Sequence, residues 1–201
     1  MVSKKEKIKR SAKELFASQG FKNTKVKQIM NTADMAAGTF YNYFSSKDSL
    51  FMEIFLEENV KLKRRITKNL NIDGDPMKVM KKMMFMNQKG MMKNPILSEW
   101  YNKDIFEKIE RKYRKEHGIE KMEFLYQDFL KIVKKWQQSG KIRQDMNVKM
   151  IMAIFTALIN IDAHKDEIGI QYFPELMEYM AQFVMDGLTP DSISAKNRSN
   201  Q

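Results

Sequence analysis

Apolar residues recur at three- and four-residue spacing along the whole chain, and nowhere do they alternate with polar ones over the length of a strand. Gly and Pro together make up only 12 of the 201 residues, so long helices go uninterrupted. The periodicity predicts an all-α fold. The first helix opens on Ser3-x-x-Glu6, a capping-box pattern, turns Ile8, Ala12, Leu15 and Phe16 to one face, and reaches a C-terminal cap at Gly20. Thr24 is expected to cap a short second helix with Val26, Ile29, Met30 and Ala33 inward, followed by a tight turn at Ala33-Asp34-Met35-Ala36. A third short helix covers about residues 36–44. Ser45 or Ser46 caps a fourth, with Leu50, Phe51, Ile54, Phe55, Leu62 and Ile66 along it. Residues 71–76, NIDGDP, form the expected boundary, and Asp75-Pro76 starts the next helix. Breaks at Gly90, Asn94-Pro95, His117-Gly118, Ser139-Gly140, Asn147 and Phe173-Pro174 divide the remainder into roughly six helices. The domains expected are residues 1–50, with a connecting helix over 46–70, then a larger helical domain over 71–189 and a disordered tail over 190–201.

The chain has no cysteine, which excludes disulfides, thiolate metal sites and a Cys nucleophile and makes a reducing cytoplasm the expected compartment. The N-terminus is charged from Lys4 onward and lacks the apolar core of a signal peptide. No apolar run approaches the ~18 residues of a membrane span. Net charge is +11, and the first fifty residues hold 10 Lys and Arg against 4 Asp and Glu. A basic module of that size calls for a polyanion, either nucleic acid or an anionic membrane surface. The membrane alternative is a basic peripheral lipid-binding protein anchored through residues 1–16. The apolar face of that helix is narrow and lacks Trp, so no membrane partner is expected.

The stretch GTFYNYFSSKDSL, residues 38–50, sorts its four clustered rings by helical geometry. Phe40 and Phe44 share a face and are core residues, expected to meet Ile8, Phe16 and Ile29. Tyr41 and Tyr43 flank that face, covering the core edge with their rings while the hydroxyls reach outward. Gly38, Thr39 and Asn42 lie on the open side, where a small first turn allows close approach to another surface. Ser46-Lys47 then begins the next helix, where free amides and a lysine suit an anion. Short helix, turn, short helix and phosphate-type terminus together read as a helix-turn-helix with its second helix presented to the major groove of duplex DNA.

Residues 8–55 resemble the DNA-binding domain of the TetR family of bacterial transcriptional regulators. The resemblance is carried by Ala12, Leu15, Phe16, Gly20, Phe21, Thr24, Ile29, Ala33, Gly38, Thr39, Phe40, Tyr41, Tyr43, Phe44, Ser46, Lys47 and Leu50. It implies phosphate contacts by Thr39, Tyr43 and Lys47, and places Lys27, Ala37, Gly38, Tyr41 and Asn42 near base edges. Asp34 stands where the family's turn has Gly, and tolerates the left-handed conformation better than most residues. Ala36 and Ala37 replace the family's polar first turn, so base readout falls to Lys27, Tyr41 and Asn42. Met30 replaces a small residue between the first two helices.

Residues 77–92 are dense in methionine, a residue suited to adaptable apolar pockets. The resemblance implies a small-molecule effector bound between the helices that follow. Met84, Met91, Trp100, Tyr101 and Phe124 are its expected lining, and the ligand is expected to be apolar or amphipathic. His164 in Asp-Ala-His-Lys-Asp-Glu reads as a solvated loop. No cofactor or metal is called for, and no catalytic arrangement of Ser, His, Asp or paired carboxylates supports an enzyme. The helices over 148–161 and 172–188 are apolar nearly all round, which needs burial on two sides. With the resemblance, this implies a homodimer whose interface includes Ile151, Phe155, Leu158, Leu176, Met180 and Phe183. The implied function is a ligand-responsive regulator, most often a repressor in this family, released by its effector from a palindromic operator. Its expected place is the bacterial cytoplasm, at the nucleoid when bound to DNA.

Overall fold

The computed structural model of the protein describes residues 2–117, 127–161, 164–173 and 175–190. Every regular element among them is helical: α1 (Lys4–Asn23), α2 (Val26–Thr32), a 3₁₀ helix (Ala37–Asn42), α3 (Lys47–Lys68), α4 (Pro76–Lys93), a second 3₁₀ helix (Leu97–Tyr101), α5 (Lys103–His117), α6 (Gln127–Gln138), α7 (Val148–Ile161), the single turn α8 (Lys165–Ile168), a third 3₁₀ turn (Ile170–Tyr172) and α9 (Glu175–Leu188). The expected disordered tail, beyond residue 190, lies outside the described residues.

Short polar side chains start these helices by taking otherwise unpaired backbone amides. Ser3 Oγ accepts from the Glu6 N–H, Ser46 Oγ from Ser49, Asp75 Oδ1 from Lys78 and Asn147 Oδ1 from Lys149. Thr24 does not cap α2. Its hydroxyl instead donates to the Gly20 carbonyl, while Gln28 Oε1 accepts the Lys25 N–H at the start of α2. Gly20 has φ +78°, so the helical path of α1 is kinked there and one further turn follows. Gly90 is not a break. It lies inside α4, where an added Cβ would stand 2.3 Å from Leu62 Cδ1, so the glycine permits a close helix crossing.

The chain divides into two compact units, one of Met1–Leu62 with Lys89–Leu125 and the other of Lys63–Gln88 with Tyr126–Gln201. Two of these cuts fall within α3 and α4. In the first unit Ile8, Ala12, Phe16, Ile29, Met30, Phe40 and Phe44 are buried. Their core continues through rings: Phe16 meets Phe51 edge-on at 5.3 Å, and Phe55 meets Phe106 at 4.6 Å. In the second unit Trp136, Phe129 and Phe155 centre a core shared by α4, α6, α7 and α9. Trp136 satisfies its indole N–H on the Ile72 carbonyl. The loop after α6 ends α9: the Arg143 N–H and guanidinium donate to the Leu188 and Gly187 carbonyls, with Asp145 holding the guanidinium through two short bonds.

Candidate nucleic-acid interface

The turn between α2 and the 3₁₀ helix is a Schellman motif. The Met35 N–H donates to the Met30 carbonyl and the Asp34 N–H to the Asn31 carbonyl. Its left-handed position falls on Asp34, with φ +55°, as the substitution for Gly requires. The chain then enters the 3₁₀ helix Ala37–Asn42, whose inward residue is Phe40, fully buried. Tyr41 lies edge-on against Phe40 at 5.3 Å and is 66% exposed, so its ring covers the core edge and its hydroxyl reaches solvent. Lys27, Ala37, Gly38 and Asn42 are exposed, Tyr43 is exposed and Thr39 half-buried. Nothing lies within 4 Å of where a Gly38 Cβ would be, so the first turn offers an open, small surface. Phe44, by contrast, is buried with Lys5 above its ring. Of the residues expected at base edges, Ala37, Gly38, Tyr41 and Asn42 are thus exposed on the 3₁₀ helix and Lys27 is exposed on α2.

Lys47 is the first residue of α3 and is half-buried. Its ammonium donates to the Phe21 carbonyl at 2.7 Å and the Thr24 carbonyl at 2.8 Å, and lies 4.1 Å from the centre of the Phe21 ring. Two of its three donors therefore tie α3 to the end of α1, where orphan carbonyls favour a cation. Burial pushes its pKa down, against a smaller opposing pull from Asp48.

Behind this surface, α1 and α3 are joined by ion pairs. Burial acts to lower the pKa of Lys9, but its hydrogen bond to Glu57 and the charges of Glu57, Glu53 and Glu6 outweigh it and hold the ammonium above its ordinary value. Burial acts to raise that of Glu58, and donors from Lys13, Lys61 and Asn94 outweigh it and hold the carboxyl low. Two further partners come from distant segments and had no signal of their own in the sequence. Asn94 donates to Glu58 at 3.0 Å while its own oxygen accepts from the Ile96 N–H at 2.9 Å; Glu99 Oε1 accepts the Phe21 N–H at 3.4 Å. Only the Asn94-Pro95 break marked that segment in the sequence.

The expected effector residues are placed as follows. Met91, Trp100 and Tyr101 lie in the first unit, Met91 buried and the other two half-buried; Trp100 stacks on Phe55 and meets Phe106 at 4.9 Å. Met84 packs against the core of the second unit. Phe124 lies outside the described residues. Among the expected interface residues, Ile151, Phe155 and Leu158 are buried in this chain itself, Phe155 to 2% exposure with its ring 5.2 Å from Phe129. These three side chains are buried within their own fold. Leu176 and Met180 are half-buried, whereas Phe183 is 70% exposed and stacks on exposed Tyr179.

Residues 8–54 match the family model described as bacterial regulatory proteins, tetR family. Over 172 residues, 84% of each chain, the protein is 26% identical to the uncharacterized HTH-type transcriptional regulator YvdT of Bacillus subtilis. Its fold is similar to that of the fatty acid degradation regulator FadR of Bacillus halodurans, at a TM-score of 0.61 and 20% identity over 94% of this chain and 97% of that one. It is also similar to Thermus thermophilus FadR, solved with lauroyl-CoA, at 0.62 and 16% over 91% and 92%, and to Bacillus subtilis FadR, solved with stearoyl-CoA, at 0.56 and 16% over 92% and 97%. No helix among the described residues is long and apolar enough to cross a membrane. Residues 8–54 thus match the DNA-binding helix-turn-helix module of the tetR family of bacterial regulatory proteins, and the fold of the chain is similar to that of regulators of this family.

Proposed function

We propose that the protein is a homodimeric repressor, released from a palindromic operator when an apolar or amphipathic small molecule binds its helical domain. The observation that carries the ligand-responsive part is the double engagement of residues 94–106. On one side Asn94 and Glu99 bond α3 and α1, the helices behind the DNA-facing surface, through Glu58 and the Phe21 amide. On the other, Trp100 and Phe106 pack on Phe55 among the side chains expected to meet the effector. A molecule that displaces Trp100 moves the bonds that fix α1. Ligand and DNA then favour different arrangements, as a ligand-driven switch requires.

A long acyl chain is the effector class we assign, because two solved structures of similar fold hold acyl-CoA and the residues expected to meet the effector are methionine and aromatic. The dimer reading rests on the exposed Tyr179–Phe183 pair of α9 and on the need to present two recognition elements to a palindrome. The test begins with duplexes selected from a random pool by the protein. A two-fold symmetric consensus is expected. Lauroyl-CoA should then weaken binding to it about 5–150-fold. Asymmetric consensus sites would remove the dimer reading, and unchanged DNA affinity across short and long acyl-CoAs would remove the effector reading.

A further inference from the structure

Asn59 is a buried amide whose hydrogen bonds do not close. It lies on α3, one helical turn after Phe55 and three residues before Leu62, and is 7% exposed. Its Nδ2 is 3.9 Å from Met91 Sδ, a weak acceptor at long range. Its Oδ1 is shut off from solvent and has no hydrogen-bond partner among the described residues. The neighbouring Glu58 shows the contrast, with three donors on its carboxylate. A leucine would fill the same helix position without leaving a polar atom unpaired, so a buried acceptor here needs an explanation.

The surroundings supply one. Phe55, Asn59 and Leu62 share one face of α3. Phe55 touches Trp100 and Phe106, and Leu62 approaches Gly90. The acceptor therefore lies between Phe55 and Leu62 on an aromatic and aliphatic helix face, with the half-buried Trp100 stacked on Phe55. We propose that Asn59 Oδ1 is the polar anchor of the effector and accepts a hydrogen bond from a hydroxyl, or another neutral donor, carried on an apolar body. This rests on the effector reading above and narrows it: an unsubstituted acyl chain leaves Oδ1 unpaired, whereas a hydroxylated chain satisfies it. A site built around a hydrogen bond discriminates strongly against the analogue lacking the donor.

The test uses two isomeric probes, 1-decanol and methyl nonyl ether, which differ in whether the oxygen can donate. Their affinities are measured by calorimetry on the full-length wild type and on Asn59→Leu. The preference for the alcohol over the ether should fall roughly tenfold in the variant, with ether affinity retained and thermal stability no lower than wild type. In the wild type the Asn59 side-chain amide resonances should shift with the alcohol and not with the ether, a readout that does not depend on the variant folding. An unchanged preference, with both probes still bound, overturns the anchor and leaves the effector reading intact, an ordered water then being the partner of Oδ1. Failure of both probes to bind the wild type overturns the anchor as well. The effector reading falls with it only if acyl-CoAs also leave DNA affinity unchanged.

Discussion

Lys47 has its ammonium held by the backbone that closes α1. As the first residue of α3 it reads as part of an anion site. Folded, its ammonium bonds two carbonyls more than twenty residues earlier. Nothing local in the sequence could show that reach, because it depends on how α1 ends against α3. Lys47→Ala is therefore expected to cost on the order of 1–3 kcal/mol of stability, the range for hydrogen bonds to a charged group. The log–log salt slope of DNA binding should stay as in wild type. A slope smaller by about one would return the side chain to a phosphate. Asn42 and Tyr41 behave oppositely. Both are exposed and only Tyr41 leans on the core, so Asn42→Ala should leave melting unchanged and cost about 1–3 kcal/mol on the selected operator alone. Equal losses on operator and random duplex would show that Asn42 does not read bases.

Among the helices, the starts were legible and the crossings were not. Ser3, Ser46, Asp75 and Asn147 could be found because a cap and its amide lie within three residues of each other. Gly90 was misread for the opposite reason, since its meaning depends on Leu62 of another helix. In isolation, Gly90→Ala should stabilise α4 by about 1 kcal/mol. Here the added methyl meets packed Leu62, and overpacking of this kind costs roughly 1–3 kcal/mol. The expected net effect is destabilising, and it should reverse sign in a Leu62→Ala background. A destabilisation that persists there would mean that the clash is not with Leu62. α3 carries a second signal in Lys63, whose ammonium burial pushes down to about 8 from the ordinary 10.5. Between those values the unfolded chain binds the extra proton, so the folded state gains stability as pH rises through the interval. Urea midpoints for wild type relative to Lys63→Met should therefore climb from pH 8 to 10. A flat difference would place that ammonium in water.

For the molecule as a whole, the sequence carried the helical class and the family's DNA-binding module, because both are written in local spacing. It could not say which of two apolar helices would be consumed by the chain's own core. α7 and α9 read alike, yet Phe155 is 2% exposed and Phe183 is 70% exposed. Charge at the two sites should separate the two fates. Phe155→Asp places a charge in the core of the second unit and should leave no folded protein. Phe183→Asp should fold, melt near wild type and, on the dimer reading, run as a monomer with weakened binding to a two-fold operator. A Phe183→Asp protein that stays dimeric in light scattering would move the interface elsewhere. The effector reading makes its own demand on the intact protein. If lauroyl-CoA lowers operator affinity by some factor, the operator must lower lauroyl-CoA affinity by the same factor, since the two share one thermodynamic cycle. Titrating lauroyl-CoA with and without saturating operator measures that factor directly. It should lie between about 5 and 150, and it should shrink when Glu99→Gln weakens the bond to the Phe21 amide. Identical lauroyl-CoA affinities in the two titrations would separate ligand binding from DNA release. A factor unmoved by Glu99→Gln would show that the coupling runs by another route than residues 94–101.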